Sequence, residues 1–301
     1  MEPITYFVYG ADVRETIPGV LAYFERPMGA FQNHGAVVLE EEEFAKIALC
    51  DKLVRPCDKM VNFFIADVNA KLLYDVVTPE NRWTYLIDER AHGDGTHAYE
   101  GRLEHFQKFN VHQTILTYSN REHLDVLTKA NIKYVVMPTT TPSKRSRTQK
   151  DKRIIVSGTH GPAYPVRTRL SFVLQNAGVK GTDVLENGVV SGEEYYDHLD
   201  RYELGIVCRG GFRDRLVAKY LELGACHVLP VGDCPTYMPE DMKRLMLDTS
   251  TRWDDGNVKE VLRLLASPEE LQKRQDEYAE LCHKYFDADE HAKRVLSFIN
   301  A

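Results

Sequence analysis

Residues 208–232, CRGGFRDRLVAKYLELGACHVLPVG, set Arg209, Arg213 and Arg215 around the pair Gly210-Gly211, between a strand-like run and a helical one. The backbone N–H groups of a glycine turn, the positive end of a helix and guanidinium forks together suit phosphate oxygens. Arginines at a helix N-terminus oppose the helix dipole unless an anion compensates them. The stretch therefore reads as a phosphate cradle, and a plain βαβ crossover with surface arginines is the alternative. A second stretch, SGTHGPAYPVR at 157–167, ends a strand in Ser157-Gly158-Thr159 and reaches Arg167 at a helix start. Gly158 lets the backbone approach a ligand closely, and that helix start again offers amides to an anion. The alternative there is a β-turn-α connection that needs a glycine for its own sake.

The elements that must hold these stretches alternate along the chain. ITYFVYG (4–10), AVVL (36–39), MVNFFIA (60–66), WTYLID (83–88), TILTYS (114–119) and IKYVVMP (132–138) read as strands. Several are apolar throughout, as parallel strands buried on both faces are. Helical periodicity over 41–54, 97–109 and 120–130 separates most of them. PTTTPSKRSRTQKDKR (138–153) then carries two prolines and six Lys or Arg in its last ten residues, which reads as a solvated linker between domains. Contact with an anionic ligand or a membrane surface is the other reading of that charge. The pattern restarts with strands near 153–159, 182–187, 203–208 and 225–231 and helices over 166–178, 192–202 and 213–224, the last ending on Gly224 as its C′ residue. Helices over 257–267, 268–286 and 289–300 form a tail, with Pro268, Glu269 and Glu270 suited to a helix start. Alternating strands and helices imply open, doubly wound α/β sheets. The expected division is a first Rossmann-like domain over 1–150 and a second over 151–301.

A chain of 301 residues with 43% hydrophobic content can bury two ordinary cores. A net charge of −7 supplies no global field for a polyanion, which argues against generic nucleic-acid binding. Six cysteines without a C-x-x-C pair fit reduced thiols in a cytoplasmic setting. MEPITYFVYGADVRETIPG matches neither a signal nor a transit peptide, and no run approaches the ~18 apolar residues that span a bilayer.

The region from Arg153 to Ala301 resembles the carboxyl-terminal, nucleotide-sugar-binding domain of group-one glycosyltransferases with the GT-B fold. The likeness rests on IIVSGTHGPAYPVRTRL, on YYDHLDRYELGIVCRGG with RDRLVAKYLELGACHVLP, and on the closing FDADEHAKRVLSFI. It implies two Rossmann-like domains facing across a cleft, with the donor on the second and the acceptor mainly on the first. It also implies tail helices, about 268–301, that pack back on the first domain. In that family the second stretch holds the donor diphosphate and leads into a helix reading roughly E-x-L-A-x-G. This chain has Lys219 through Gly224 there, so a lysine stands where many members carry an acid that contacts the donor sugar or ribose. The implied donor set is Gly158, Thr159, Arg167, Arg209, Gly210, Gly211, Arg213, Arg215 and Lys219.

A sugar hydroxyl that attacks an anomeric carbon needs a base. YGAD places Asp12 after the first strand, and LIDERAHGDG places Asp88, Glu89, His92 and Asp94 after the fourth. Asp88, Asp12 and His92 are the catalytic candidates, and turn, cap or loop hydrogen-bonding roles are the alternatives for each. The D-x-D Asp287-Ala288-Asp289 sits between tail helices and reads as capping. His105, His112 and His123 share no zinc-type spacing with cysteines, so neither metal nor other cofactor is expected. The absence of a P-loop, a strand-borne G-x-G-x-x-G and a G-x-S-x-G elbow argues against a P-loop ATPase, an ordinary dehydrogenase and a serine hydrolase. The expected activity is metal-independent transfer of a sugar from a nucleoside-diphosphate sugar to a glycan or other hydroxyl acceptor. A nucleotide-sugar epimerase and a non-catalytic sugar- or nucleotide-binding protein are its rivals, and the oligomeric state stays open.

Overall fold

The computed structural model describes residues 2–11, 24–63, 67–86, 97–117, 121–158, 165–176, 179, 181–185, 192–209, 216–236, 238–249 and 255–301. Two compact units divide them: one holds the described residues up to Pro138 together with Ala288–Ala301, the other Thr139–Asp287.

Six strands build the first unit: β1 (Thr5–Tyr9), β2 (Val37–Glu40), β3 (Lys59–Phe63), β4 (Arg82–Leu86), β5 (Gln113–Leu116) and β6 (Lys133–Val136). They run parallel in the order β2-β1-β3-β4-β5-β6. Helices α1 (Arg26–Asn33), α2 (Glu41–Ala45), α3 (Asp67–Tyr74), α4 (His97–Lys108) and α5 (Arg121–Lys129) alternate with them. The two-residue period of a strand explains the apolar runs. Tyr6 and Val8 enter one core with Phe44, Met60 and Tyr74. Phe7, between them, stacks at 4.0 Å on Phe31 of α1.

The second unit is a parallel sheet of β7 (Lys152–Ser157), β8 (Thr182–Leu185), β9 (Tyr202–Val207), β10 (Leu229–Gly232) and β11 (Leu247–Asp248) in the order β11-β10-β9-β7-β8. Its helices are α6 (Pro165–Asn176), α7 (Gly192–Leu199), α8 (Ala218–Ala225), α9 (Glu240–Leu245), α10 (Asp255–Leu265) and α11 (Pro268–Phe286). Counted from its own first strand the order is 2-1-3-4-5, and the first unit repeats it with a sixth strand added. The order reverses between β7 and β9, and open α/β sheets bind ligands beyond the carboxyl ends of the strands at such a switch point.

Two local expectations are corrected. The helix expected from 213 begins at Ala218, because Val217 is extended with φ −78° and ψ 153°. Gly224 lies inside that helix, and His227, with φ 51°, takes the left-handed position after it. Gly224 is instead a packing residue: a β-carbon there would overlap Cys282 Sγ and come within 3.1 Å of the Tyr278 ring, both on α11.

The basic run after Pro138 is folded onto the second unit. Arg145 donates from Nε to Asp200 Oδ2 at 2.8 Å and from Nη1 to Glu193 at 2.7 Å, and pairs with Asp197 through Nη2. Arg147 reaches Asp276 and Gln275 at 2.9 and 2.7 Å. Lys150 donates to the carbonyls of Asp200 and Cys226, and burial pulls its pKa down to about 8.

The last helix, α12 (Ala288–Asn300), belongs to the first unit and packs against α1. Asp287, in extended conformation, is the residue at which α11 ends, and Asp289 in the first turn of α12 pairs with His34 at 3.3 Å, so the D-x-D lies at the junction of two helices. Among the described residues no helix is long and apolar enough to cross a membrane.

Candidate anion site at the carboxyl end of β7

β7 enters the sheet between β8 and β9 through the buried Ile154, Ile155 and Val156, and ends on Ser157. Gly158 follows with φ +101° and donates its N–H to the Leu185 carbonyl at 3.0 Å. Its backbone lies directly against two cations. A β-carbon at Gly158 would meet Arg167 Nη1 at 2.9 Å and Lys219 Cε at 3.4 Å. Arg167 stands near the start of α6, behind Pro165, and is only 3% exposed. Lys219 is the second residue of α8, where a cation faces the positive helix end.

Two further side chains hold Lys219. Its Nζ donates to the hydroxyl of Tyr195 on α7, lies 4.3 Å from the centroid of that ring, and stands 3.4 Å from Glu222 Oε2 one helical turn on. The Tyr195 hydroxyl is 3.1 Å from Ser157 Oγ and donates toward Glu222 Oε2 at 3.4 Å. Burial lowers the Lys219 pKa, Glu222 works against that shift, and the nearby Arg167 adds to it. Burial, reinforced by the Glu222 charge, drives the Tyr195 phenol well above its ordinary range and keeps it protonated. Two cations and one carboxylate at a strand end give the cluster a formal positive charge, the condition for holding an anion.

Arg209 follows β9 at the next strand end. Its backbone N–H and Nε donate to Asp233 Oδ1 and Oδ2 at 3.0 and 2.8 Å, so the guanidinium is tied to the residue after β10. Asp233 is itself fixed, because its carbonyl accepts from the Tyr220 hydroxyl.

Of the sequence candidates, Gly158, Arg167 and Lys219 come together, and Arg209 occupies the neighbouring strand end. Thr159, Gly210, Gly211, Arg213 and Arg215 lie outside the described residues, as do Asp12, Asp88 and His92. Sequence reasoning missed Tyr195 and Glu222. Glu222 carried a signal, an acid three residues from a lysine on a helix otherwise buried. Tyr195 carried none, since Tyr196 beside it points into the core.

No protein-family model and no curated protein matches the chain. Solved structures do. An α-glucosyltransferase in complex with UDP and a 13-mer DNA containing a HMU base aligns over 100% of both chains with a TM-score of 0.66 and 13% identity. Sucrose-phosphate synthase from Thermosynechococcus elongatus aligns over 99% of this chain and 98% of its own, with a TM-score of 0.59 and 10% identity. HepE of Anabaena in complex with UDP aligns over 99% of this chain and 100% of its own, with a TM-score of 0.55 and 9% identity. The chain therefore has the α/β, Rossmann-like fold of GT-B glycosyltransferases.

Proposed function

We propose that the protein transfers a sugar from a nucleoside-diphosphate sugar to an acceptor hydroxyl. The observation that carries this reading is the buried Arg167 beside Lys219, both against the Gly158 backbone at the β7/β9 switch point. Structural neighbours in complex with UDP support it. In the reaction the bond between the anomeric carbon and the phosphate oxygen breaks, and its electron pair leaves on the diphosphate. The acceptor oxygen bonds to the same carbon, and its proton passes to a base. Charge that grows on the departing phosphate is best stabilised by donors fixed in advance, the role assigned to Arg167 and Lys219. Gly158, Thr159, Arg209, Gly210, Gly211, Arg213 and Arg215 complete the proposed donor set. The base is proposed among Asp12, Asp88 and His92, which follow β1 and β4 in the sequence. No metal is assigned to the step.

Calorimetry with UDP, GDP, dTDP and CMP, followed by mass-spectrometric detection of transfer or donor hydrolysis, tests the reading. Arg167→Ala should weaken the preferred diphosphate by about 1.5–3 kcal/mol, the range for a charge-assisted hydrogen bond. Binding of none of the four by the wild-type chain would defeat the proposal, and inversion of the donor sugar without transfer would assign an epimerase.

A further inference from the structure

Lysine is a poor fixed donor, because its four-carbon stem carries about 2 kcal/mol of rotamer entropy. Here the stem is not left to wander. Resting on the donor reading of this site, we propose that Tyr195 is a positioning residue whose hydroxyl, anchored by Ser157 and Glu222, fixes the Lys219 ammonium where it meets the donor's phosphate oxygens.

The valences of the tyrosine oxygen support this. It has one proton and two lone pairs. The proton points to Glu222 Oε2, and the lone pairs accept from Lys219 Nζ and from the Ser157 hydroxyl at 3.1 Å. Every bond the oxygen can make is used, so it cannot rotate to another partner without losing one. The ring adds a second hold, since Nζ lies 4.3 Å from its centroid, within cation–π range. Tyr195 and Glu222 occupy two of the three ammonium protons. Among the described residues no other group takes the third, which is available to a ligand oxygen at the Gly158 strand end, where Lys219 Cε passes 3.4 Å from the β-carbon position.

The charged groups around the ammonium are Arg167 from α6 and Glu222 from α8 itself, with the Tyr195 phenol from α7 and the Ser157 hydroxyl from β7. Glu222 offsets one of the two positive charges. Tyr195 bridges Lys219 to the carboxylate and holds both.

The test is a double-mutant cycle on the full chain, read by calorimetry with UDP and, separately, inorganic pyrophosphate. Tyr195→Phe keeps the ring and removes the hydroxyl, and its UDP affinity should fall roughly threefold to tenfold. Lys219→Met should fall further, and the double variant should bind no more weakly than Lys219→Met alone. The wild-type affinity should also break downward at alkaline pH as the ammonium loses its proton. Lys219→Met should abolish that break, and Tyr195→Phe should displace it along the pH axis. Ser157→Ala, which removes one anchor and leaves the tyrosine in place, should show a smaller loss with the same non-additivity, and it replaces Tyr195→Phe if that variant does not fold. Equal losses from the hydroxyl with Lys219 present or absent, or an unmoved pH break, would overturn the positioning role while the donor reading stands. A wild-type chain that binds neither UDP nor pyrophosphate would overturn the donor reading and this proposal with it.

Discussion

A β-carbon built on Gly158 would stand 2.9 Å from Nη1 of Arg167, on a backbone whose φ is +101°. The glycine is required twice, once by its own conformation and once by the guanidinium beside it. Gly158→Ala should cost about 1–3 kcal/mol of stability, the range for backbone held where L residues are rarely found. It should also push Arg167 aside and weaken UDP binding by about tenfold or more. Denaturant midpoints and calorimetry read the two effects separately. A stable variant with unchanged affinity would remove Gly158 from the site.

Gly224 lies where α8 packs on α11, and a β-carbon there would overlap Cys282 Sγ. Gly224→Ala should therefore destabilise the second unit by about 1–3 kcal/mol through overpacking, against the usual gain from replacing a helical glycine. Cys282→Ala removes the overlapping sulfur. In thermal melts the double variant should be more stable than the sum of the single losses predicts, and strict additivity would place the strain elsewhere.

The strands were legible because both faces of each sheet are covered, which leaves long apolar runs that a sequence shows directly. The start of α8 was not legible. Arg213 and Arg215 share the helical period of the residues after them, yet Leu216 and Val217 are buried in non-helical conformation before the helix begins. Gly224 looked like a helix terminator because glycine usually is one near a helix end, and a tertiary contact with α11 decided otherwise. The basic strap read as solvated because its acidic partners, Glu193, Asp197 and Asp200, are about fifty residues away in sequence. Gly158 and Arg167 could be picked out as strand-end and helix-start residues, whereas Lys219 was singled out only through the family resemblance, as a lysine where many members carry an acid. Tyr195 could not, because adjacent tyrosines on a helix differ by about 100° in direction, and only packing says which one enters the core.

Arg145 covers Asp200, whose side chain is 8% exposed, through a 2.8 Å bond from Nε. Truncation to Arg145→Ala leaves that carboxylate buried with its main partner gone, a loss of about 3 kcal/mol. Asp200→Asn in the same background removes the stranded charge and should restore a good part of the stability. Urea unfolding of the two single variants and the double variant decides it. A harmless Arg145→Ala would show that the strap contributes no net stability.

Activity should survive chelation. The only D-x-D of the sequence lies at the junction of α11 and α12, where α11 ends at Asp287 and Asp289 pairs with His34. The cations assigned to the departing diphosphate are side chains, so EDTA should leave transfer or donor hydrolysis within about twofold of its untreated rate, since none of the proposed stabilising charge is a removable ion. Loss on chelation with recovery on added manganese or magnesium would reject the side-chain assignment.

His291 ties α12 to the first unit, and its chemistry sets a pH limit. Its Nε2 lies 3.0 Å from the Tyr85 hydroxyl, the ring also hydrogen-bonds the Pro138 backbone, and Phe31 packs beside it at 5.9 Å between centroids. Burial first, and then the charge of Arg294, lower its pKa to about 4, with the Pro138 bond working the other way. An unfolded histidine takes up its proton near pH 6.5. Between those values the unfolded chain binds more protons than the folded one, so stability rises with pH across the window. The contribution is complete above about pH 6.5 and drains away as pH falls toward 4, by up to about 3 kcal/mol at the lower end. His291→Gln cannot take up that proton. It should lose some stability at neutral pH, where the Tyr85 and Phe31 contacts are weakened, and show a flatter profile from pH 6.5 down to 4. Urea midpoints measured across that range compare the two chains directly. Parallel profiles would assign the acid sensitivity to another group and leave His291 a packing residue alone.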